Sequence, residues 1–242
     1  MEDKIDIYKN YTTINVLGGI DENALTQWSA KYFTKNFLPY IPENKKSKIL
    51  EIGCGYGRYI KTLLNLGYTD VLGLDISEEQ INYSHKALGL ANFTLKQDAF
   101  AYFANNNSLK FDVILLIDVA EHLELNYMLE LFNLINKHLN SGGRLIVQVP
   151  NGMSFLNPIY FSDITHIRAF SYKSIIQSLK LGGFLEIKVK PVPPTRLSIL
   201  STIRRIVWDI CINPTIKLYM LLANGDTMGG IYTSNLLAIG YK

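Results

Sequence analysis

The stretch Lys48-Ile49-Leu50-Glu51-Ile52-Gly53-Cys54-Gly55-Tyr56-Gly57 decides the fold of this 242-residue chain. Its first half is a short apolar run typical of a buried strand, and its second half carries a glycine at every other position. Because glycine adopts backbone conformations that other residues avoid, the segment predicts a tight turn that leads into a helix near Arg58. Such a turn brings backbone N–H groups close to a ligand.

Strand-like runs alternate with helical patterns along the rest of the chain. We predict seven strands, at residues 48–52, 70–75, 93–97, 111–118, 144–149, 184–190 and 231–241. The alternation is typical of βαβ units, so we expect an α/β fold. Its sheet is expected to be Rossmann-like, doubly wound and mostly parallel, with the last strand antiparallel.

Three of the intervening helices have recognisable ends. An apolar stripe from Leu125 to Leu139 predicts a helix that ends at Gly142-Gly143. Ser77 and Ser171 are predicted N-caps, and the helix after Ser171 is expected to end at Gly182-Gly183.

The same patterns predict one domain with four parts. Residues 1–47 are rich in aromatic side chains and are expected to form an N-terminal helical flap, followed by the core at 48–190. An insertion at 191–230 begins with Pro191-Val192-Pro193-Pro194, which is expected to resist regular structure, and residues 231–242 form the last strand.

Composition excludes several classes of protein. A net charge of +3 without a basic stripe argues against a nucleic-acid partner. The two cysteines cannot build a disulfide framework, and the charged N-terminus does not suit a signal peptide, so we expect a cytoplasmic protein. The apolar runs at 113–117 and 216–223 fall short of the ~20 residues that span a bilayer, so no integral membrane segment is expected.

Four carboxylates, Glu51, Asp75, Asp98 and Asp118, stand at the ends of successive predicted strands. Because the carboxyl ends of parallel strands meet at one edge of a sheet, these acids are expected to line a common crevice. The negative electrostatic field of these acids disfavours a pyrophosphate and suits a cationic ligand whose hydroxyl and amine groups donate hydrogen bonds. A glycine loop alone also fits a dinucleotide, and Asp75 is placed to reach a ribose in either case.

Together these motifs resemble the class I S-adenosylmethionine-dependent methyltransferase family. The residues that carry the resemblance are 49–57, Gly73-Leu74-Asp75-Ile76-Ser77, Gln97-Asp98-Ala99, 111–123 and Ser141-Gly142-Gly143-Arg144-Leu145. The resemblance implies S-adenosylmethionine as cofactor and S-adenosylhomocysteine as product. It also implies a set of cofactor contacts: the loop of Glu51, Gly53, Cys54, Gly55 and Gly57 to the methionine part, Asp75 to the ribose, Asp98 to the adenine amine, Asp118 to the methionine end, and Ile76 and Ala99 around the adenine.

Some of these residues could instead have purely structural roles. A single acid at a strand end often caps a helix, which applies with most force to Glu51 and Asp118. Cys54 is expected to fill space in the loop, because a cofactor with an activated methyl group needs no protein nucleophile.

Two histidines are candidates for the general base that removes a proton from the methyl acceptor. His166 is the first choice and His122 the second, although each histidine could instead serve only to hold its loop or helix. We predict no metal site. The segment from Pro150 to Phe170 resembles a subgroup of small-molecule methyltransferases associated with surface-polysaccharide and sugar modification.

The leading functional prediction is methyl transfer to an oxygen or nitrogen of a small polar metabolite, a sugar or a phosphorylated or nucleotide-linked precursor. Arg196, Arg204 and Arg205 could hold an anionic acceptor or simply be solvated, and their apolar neighbours could lie on a membrane or form a homodimer contact. Alternatives are a methyltransferase for quinones, lipids or other natural products, an NAD-dependent oxidoreductase, and a non-catalytic cofactor-binding protein.

Overall fold

A computed structural model of the protein describes residues 22–193 and 198–242. The helices are α1 Glu22–Asn36, α2 Arg58–Asn65, α3 Glu78–Leu88, α4 Ala99–Asn105, α5 Leu125–His138, α6 Tyr172–Leu181, α7 Ile199–Val207 and α8 Asn213–Asn224, with a π-helical turn Trp208–Ile212 between the last two. The strands are β1 Ile49–Ile52, β2 Val71–Asp75, β3 Thr94–Lys96, β4 Phe111–Ile117, β5 Leu139–Pro150, β6 Glu186–Val192 and β7 Asn235–Tyr241.

The seven strands form one sheet in the order β3-β2-β1-β4-β5-β7-β6. β1 pairs in parallel with both β2 and β4, so Leu50 lies between Leu72 and Ile114, and every residue of β1 is buried. β7 runs antiparallel to β6. The predicted α/β sheet with an antiparallel last strand is therefore confirmed.

The chain divides into two compact units. The first comprises the described part of Met1–Ile117 together with Lys137–Leu145, and its core contains Leu50, Leu63 and Phe103. The second comprises Asp118–Asn136 and Ile146–Lys242, and its core contains Phe132 and Phe170.

The glycine loop has the turn that the sequence predicts. Gly53, Gly55 and Gly57 have φ angles of 72°, 56° and 82°, all in the left-handed region that favours glycine. Gly57 is the N-cap residue of α2, so the loop leads directly into that helix. The N-caps predicted at Ser77 and Ser171 are also confirmed, because each side chain accepts a hydrogen bond from a backbone N–H in the first turn of its helix.

The predicted end of α5 and the predicted start of β5 are wrong. α5 ends at His138, and β5 begins at Leu139, so Gly142 and Gly143 lie in a strand rather than at a helix end. A Cβ at Gly143 would lie 2.9 Å from the carbonyl oxygen of Asn140, which shows that close backbone approach is what this glycine permits.

The first residues of the predicted insertion belong to a strand. Pro191 lies in β6 opposite Leu236 of β7, and Val192 lies opposite Asn235. β6 lies at the edge of the sheet, so one of its two sides has no partner strand. A proline, which lacks an N–H group, can be accommodated there. The last strand begins at Asn235 rather than at residue 231.

The rest of the insertion contains one long helical segment, Ile199–Asn224, which we call the arm. The arm has 26 residues and is, by length and composition, the one described helix able to cross a membrane. The expectation that every apolar run is too short for this is wrong, because the helix continues through isolated charged residues. Residues 1–21 of the predicted flap and Arg196 lie outside the described residues.

Candidate functional site

Asp75 connects the end of β2 to the glycine loop. One oxygen of its carboxylate accepts a hydrogen bond from the backbone N–H of Gly55, and the other accepts one from Ser77, each at 2.8 Å. Burial raises the pKa of Asp75, and the backbone hydrogen bonds partly offset that rise. Each carboxylate oxygen can accept a further bond, so this acid can hold the loop and still receive ligand hydroxyls.

Glu51 is a buried acid beside the same loop. It is 2% exposed, and its Oε2 atom has no hydrogen-bond partner. Burial raises the pKa of Glu51 to about 8, while the Arg58 charge acts in the opposite direction and the Asp75 charge adds to the rise. A buried carboxylate without a full set of partners favours either a bound proton or a nearby cation.

The remaining predicted cofactor residues of the first unit have mixed surroundings. The Cys54 thiol is buried, and burial raises its pKa well above the usual range, which fits a space-filling role rather than that of a nucleophile. Asp98 caps α4 by accepting a hydrogen bond from Ala101 at 3.1 Å. Ile76 is 52% exposed, which is unusual for isoleucine, whereas Ala99 is buried.

Asp118 directly follows β4 and belongs to the second unit. Its φ angle of 56° is left-handed, a conformation that asparagine and aspartate adopt more readily than most residues. Its carboxylate accepts a hydrogen bond of 2.9 Å from the Gln148 side-chain amide. The neighbouring strand β5, which carries Gln148, thus fixes the direction of this acid.

His122 and His166 lie together in the second unit. Their ring centroids are 4.6 Å apart, and Nδ1 of His122 lies 2.8 Å from the Thr165 hydroxyl, which donates to Asp163 at 2.6 Å. Nδ1 of His166 lies 2.8 Å from the backbone oxygen of Tyr160. Burial lowers the pKa of His122, and the nearby His166 lowers it further, while Asp163 partly offsets this.

Glu121 is the residue that the sequence interpretation missed. Its side chain is fully buried, neither carboxylate oxygen has a hydrogen-bond partner, and Oε1 lies 3.9 Å from Nε2 of His166. Burial raises the pKa of Glu121, and the charge of Asp118 raises it further. The adjacent acid and histidine, Glu121 and His122, follow shortly after a strand, and this position could have indicated a functional role for Glu121. Only the fold shows that His166 lies beside them.

Comparisons with known proteins agree with this architecture. A family model described as a methyltransferase domain matches residues 24–187. A solved S-adenosylmethionine-dependent methyltransferase from Archaeoglobus fulgidus superposes with a TM-score of 0.64 at 17% identity, over 92% of this chain and 100% of that one. The plantazolicin methyltransferase BpumL, solved with a substrate analogue and S-adenosylhomocysteine, gives 0.57 at 19% identity over 100% and 90%. At these identities the structural likeness shows the fold.

Two curated relatives match this chain over only part of their own length. The tRNA U34 carboxymethyltransferase of Cellvibrio japonicus is 24% identical over 188 residues, which are 70% of this chain and 55% of the relative. An uncharacterized protein of Haemophilus influenzae is 30% identical over 114 residues, 45% of this chain and 44% of the relative. The chain therefore spans about half the length of the curated relatives it matches.

Replacing Glu51 by glutamine should change how stability depends on pH. Between the unfolded pKa of 4.5 and the folded pKa of about 8, the folded chain keeps a proton that the unfolded chain loses. The free energy of unfolding of the wild type should therefore fall as pH rises from about 5 to 8. Urea unfolding at several pH values should show a shallower fall for Glu51→Gln. The exposed Glu130→Gln serves as the control, and equal slopes in wild type and Glu51→Gln would contradict the burial argument.

Proposed function

The chain belongs to the methyltransferase-domain family, and on that premise we propose that it transfers a methyl group from S-adenosylmethionine to an oxygen or nitrogen of a small polar metabolite. The family model covers residues 24–187, which are more than half of the chain. The acceptor in this proposal is a sugar, or a phosphorylated or nucleotide-linked precursor of a surface polysaccharide.

The residues of the first unit fit the cofactor. The observation that carries the proposal is the unpaired, buried Oε2 atom of Glu51 beside a glycine loop that Asp75 holds in place. A cationic ligand that also donates hydroxyl hydrogen bonds matches this arrangement, because the cation would stabilise the charged form of Glu51 and the hydroxyls can donate to Asp75. The residues of the first unit that would hold the cofactor are Glu51, Gly53, Gly55, Gly57, Asp75, Ile76, Asp98 and Ala99.

When bound, S-adenosylmethionine supplies a methyl carbon on a sulfonium, and attack by the acceptor leaves the neutral thioether of S-adenosylhomocysteine. The protein must orient the acceptor and take its proton. His166 and His122 suit the second task, because each uses Nδ1 in a fixed hydrogen bond and leaves Nε2 available. We assign His166 as the first base and His122 as the second.

A second candidate acceptor is apolar, such as a quinone, a lipid or another natural product. The segment that carries His166 also exposes several large apolar side chains. Phe155, Phe161 and Ile164 are 71%, 74% and 95% exposed. Exposed apolar side chains in one segment often mark a binding surface, which supports a hydrophobic acceptor as the alternative.

Labelled S-adenosylmethionine and a panel of acceptors test the proposal. The panel contains sugar nucleotides, sugar phosphates, quinols and unmodified tRNA, and we expect label in one class of small molecule. With that acceptor, His166→Ala should lower turnover by roughly 10²–10⁴-fold, the usual contribution of general acid–base catalysis. Its affinity for S-adenosylhomocysteine should stay close to that of the wild type.

His85→Ala is the matched control, because it removes a histidine that is not part of the pair His122 and His166. His85 lies on α3 and contacts the backbone of Thr94. Turnover in His166→Ala equal to that of the wild type would remove His166 from the reaction. Label in tRNA alone would contradict the small-molecule acceptor.

A further inference from the structure

Glu121, His122 and His166 converge within the second unit. One ligand-capable atom from each lies within 4.8 Å of the other two. The three residues come from two separate segments, so the fold creates a cluster that neither segment has alone. The sequence had led us to expect no metal site, and this cluster is the reason to revise that expectation.

The hydrogen bonds decide which nitrogen of each ring is free. A backbone carbonyl can only accept, so Nδ1 of His166 carries the hydrogen that it donates to Tyr160. The Thr165 hydroxyl gives its single hydrogen to Asp163 and therefore accepts from Nδ1 of His122. In the neutral form of each imidazole, Nε2 is therefore the nitrogen with a free lone pair. This is how histidines are oriented when the second nitrogen binds a metal.

The state of Glu121 indicates what the cluster lacks. Both of its carboxylate oxygens are buried without a hydrogen-bond partner, although a neighbouring Nε2 stands only 3.9 Å away. That nitrogen has no hydrogen to donate in the tautomer just derived for His166. Buried acids normally have a partner, and a cation is a partner that the carboxylate and two Nε2 lone pairs can share.

We propose that Glu121, His122 and His166 bind one divalent transition-metal ion through the carboxylate and the two Nε2 atoms. Two nitrogens and one oxygen suit Zn²⁺, Mn²⁺, Fe²⁺ or Co²⁺, and they leave coordination positions open. Ca²⁺ is disfavoured because it takes six to eight oxygen ligands. At metal–ligand distances of about 2.1 Å, tetrahedral ligand atoms lie about 3.4 Å apart, so ligand atoms separated by up to 4.8 Å must approach one another by as much as about 1.4 Å.

The ion has a consequence for the acceptor that rests on the proposed function. A bound metal lowers the pKa of a coordinated hydroxyl, so the ion replaces a free imidazole as the means of activating an acceptor oxygen. The acceptor would then be one that offers an oxygen ligand, such as a hydroxyl beside a second oxygen or a phosphate. Metal binding itself does not depend on methyl transfer.

Metal titration of the tag-free, chelator-treated protein tests the proposal. Co²⁺ is followed by visible absorption and Zn²⁺ by calorimetry, with Ca²⁺ as the negative probe. We expect one Co²⁺ or Zn²⁺ per wild-type chain. Glu121→Gln and His122→Gln should each weaken binding by at least tenfold, and His85→Gln should bind as the wild type does. Circular dichroism confirms that each variant is folded, and Glu121→Gln removes a buried charge without changing the shape of the side chain.

Two results would overturn the proposal: no saturable binding to the wild type, or equal binding by all four proteins. Titration with S-adenosylhomocysteine in the same variants separates this inference from the proposed function. A metal-free enzyme that binds this ligand and methylates its acceptor normally would retain the proposed function and refute the role of the ion in activating the acceptor.

The arm Ile199–Asn224 carries an independent inference. In α7 the buried side chain is polar: Ser201 is 5% exposed and shares a capping box with Ser198. The apolar side faces outward, where Ile199 and Ile203 are 83% and 51% exposed. A surface helix of a soluble protein normally has the opposite orientation.

α8 exposes apolar side chains in several directions. Leu218, Tyr219, Leu221 and Leu222 are each at least 50% exposed, and at about 100° per residue they cover an arc of roughly 160°. A flat subunit contact covers a narrower stripe. An apolar phase that surrounds the exposed side of the helix covers the whole arc.

The chain path excludes a full membrane crossing. Val192, just before the arm, pairs with Asn235 after it, so both ends of the arm return to neighbouring strands. Two residues beyond the end of the arm, Asp226 forms an ion pair of 3.2 Å with Lys173. A span would force residues 225–234 back through lipid as irregular backbone, which leaves backbone groups unbonded.

We infer that the arm lies in the surface of a membrane that contains anionic lipid. Arg205 is paired with Asp209, and the other two charged side chains of the arm, Arg204 and Lys217, are both basic and exposed. Basic residues beside an exposed apolar face favour an interfacial position on anionic lipid.

Vesicle sedimentation tests this inference with the full chain. Vesicles of equal parts phosphatidylcholine and phosphatidylglycerol should bind the wild type, and pure phosphatidylcholine should bind it several-fold more weakly. The double variant Ile203→Glu, Leu222→Glu should lose at least tenfold in binding. Leu185→Glu is the matched control, because Leu185 is 92% exposed but lies outside the arm.

Light scattering tests whether a second copy of the chain, rather than a membrane, covers the arm. A dimer in solution that the double variant converts to a monomer, with no vesicle binding by the wild type, would assign the arm to a second copy and overturn the inference. A monomer that binds no vesicles would overturn it as well.

Discussion

The carboxylate of Asp75 is the interaction on which the first unit depends. It accepts from Gly55 in the loop after β1 and from Ser77 at the start of α3, so one buried acid fixes both segments that follow the central strands. The three left-handed glycines allow the loop to reach that carboxylate. Backbone hydrogen bonds from Gly53 and Cys54 to Leu74 also hold the loop, and Asp75 adds the connection between the loop and the start of α3.

The second unit is organised around a different polar constraint. Asp163 and Tyr160 hold the two imidazoles through their Nδ1 atoms, directly or through Thr165, and both Nε2 atoms are thereby presented together. Glu121 completes the group with a buried carboxylate. Among the described residues, each unit contains one buried acid with an unpartnered carboxylate oxygen, Glu51 in the first and Glu121 in the second, and we propose an organic cation as the partner of Glu51 and a metal ion as that of Glu121.

Local pattern was enough to predict the strands from β1 to β4 and the glycine loop, because apolar runs and left-handed turns are encoded by adjacent residues. The end of α5 was misplaced because Leu139 continues the helical stripe although its backbone is already extended. Glu121 was missed because its significance depends on His166, 45 positions away in sequence. The exposure of the arm also escaped prediction, because sequence shows that a helix is apolar but not whether the fold covers it.

The central claim is that the first unit binds an adenosyl cofactor through Asp75, and calorimetric titration tests it most directly. S-adenosylhomocysteine should bind the wild type in one-to-one proportion, and Asp75→Ala should lose about 1–3 kcal/mol of binding free energy, as expected when hydrogen bonds to a charged group are removed. Asp70→Ala, at an exposed position before β2, should bind as the wild type does. Binding of NAD without binding of S-adenosylhomocysteine, or unchanged affinity in a folded Asp75→Ala protein, would contradict the account.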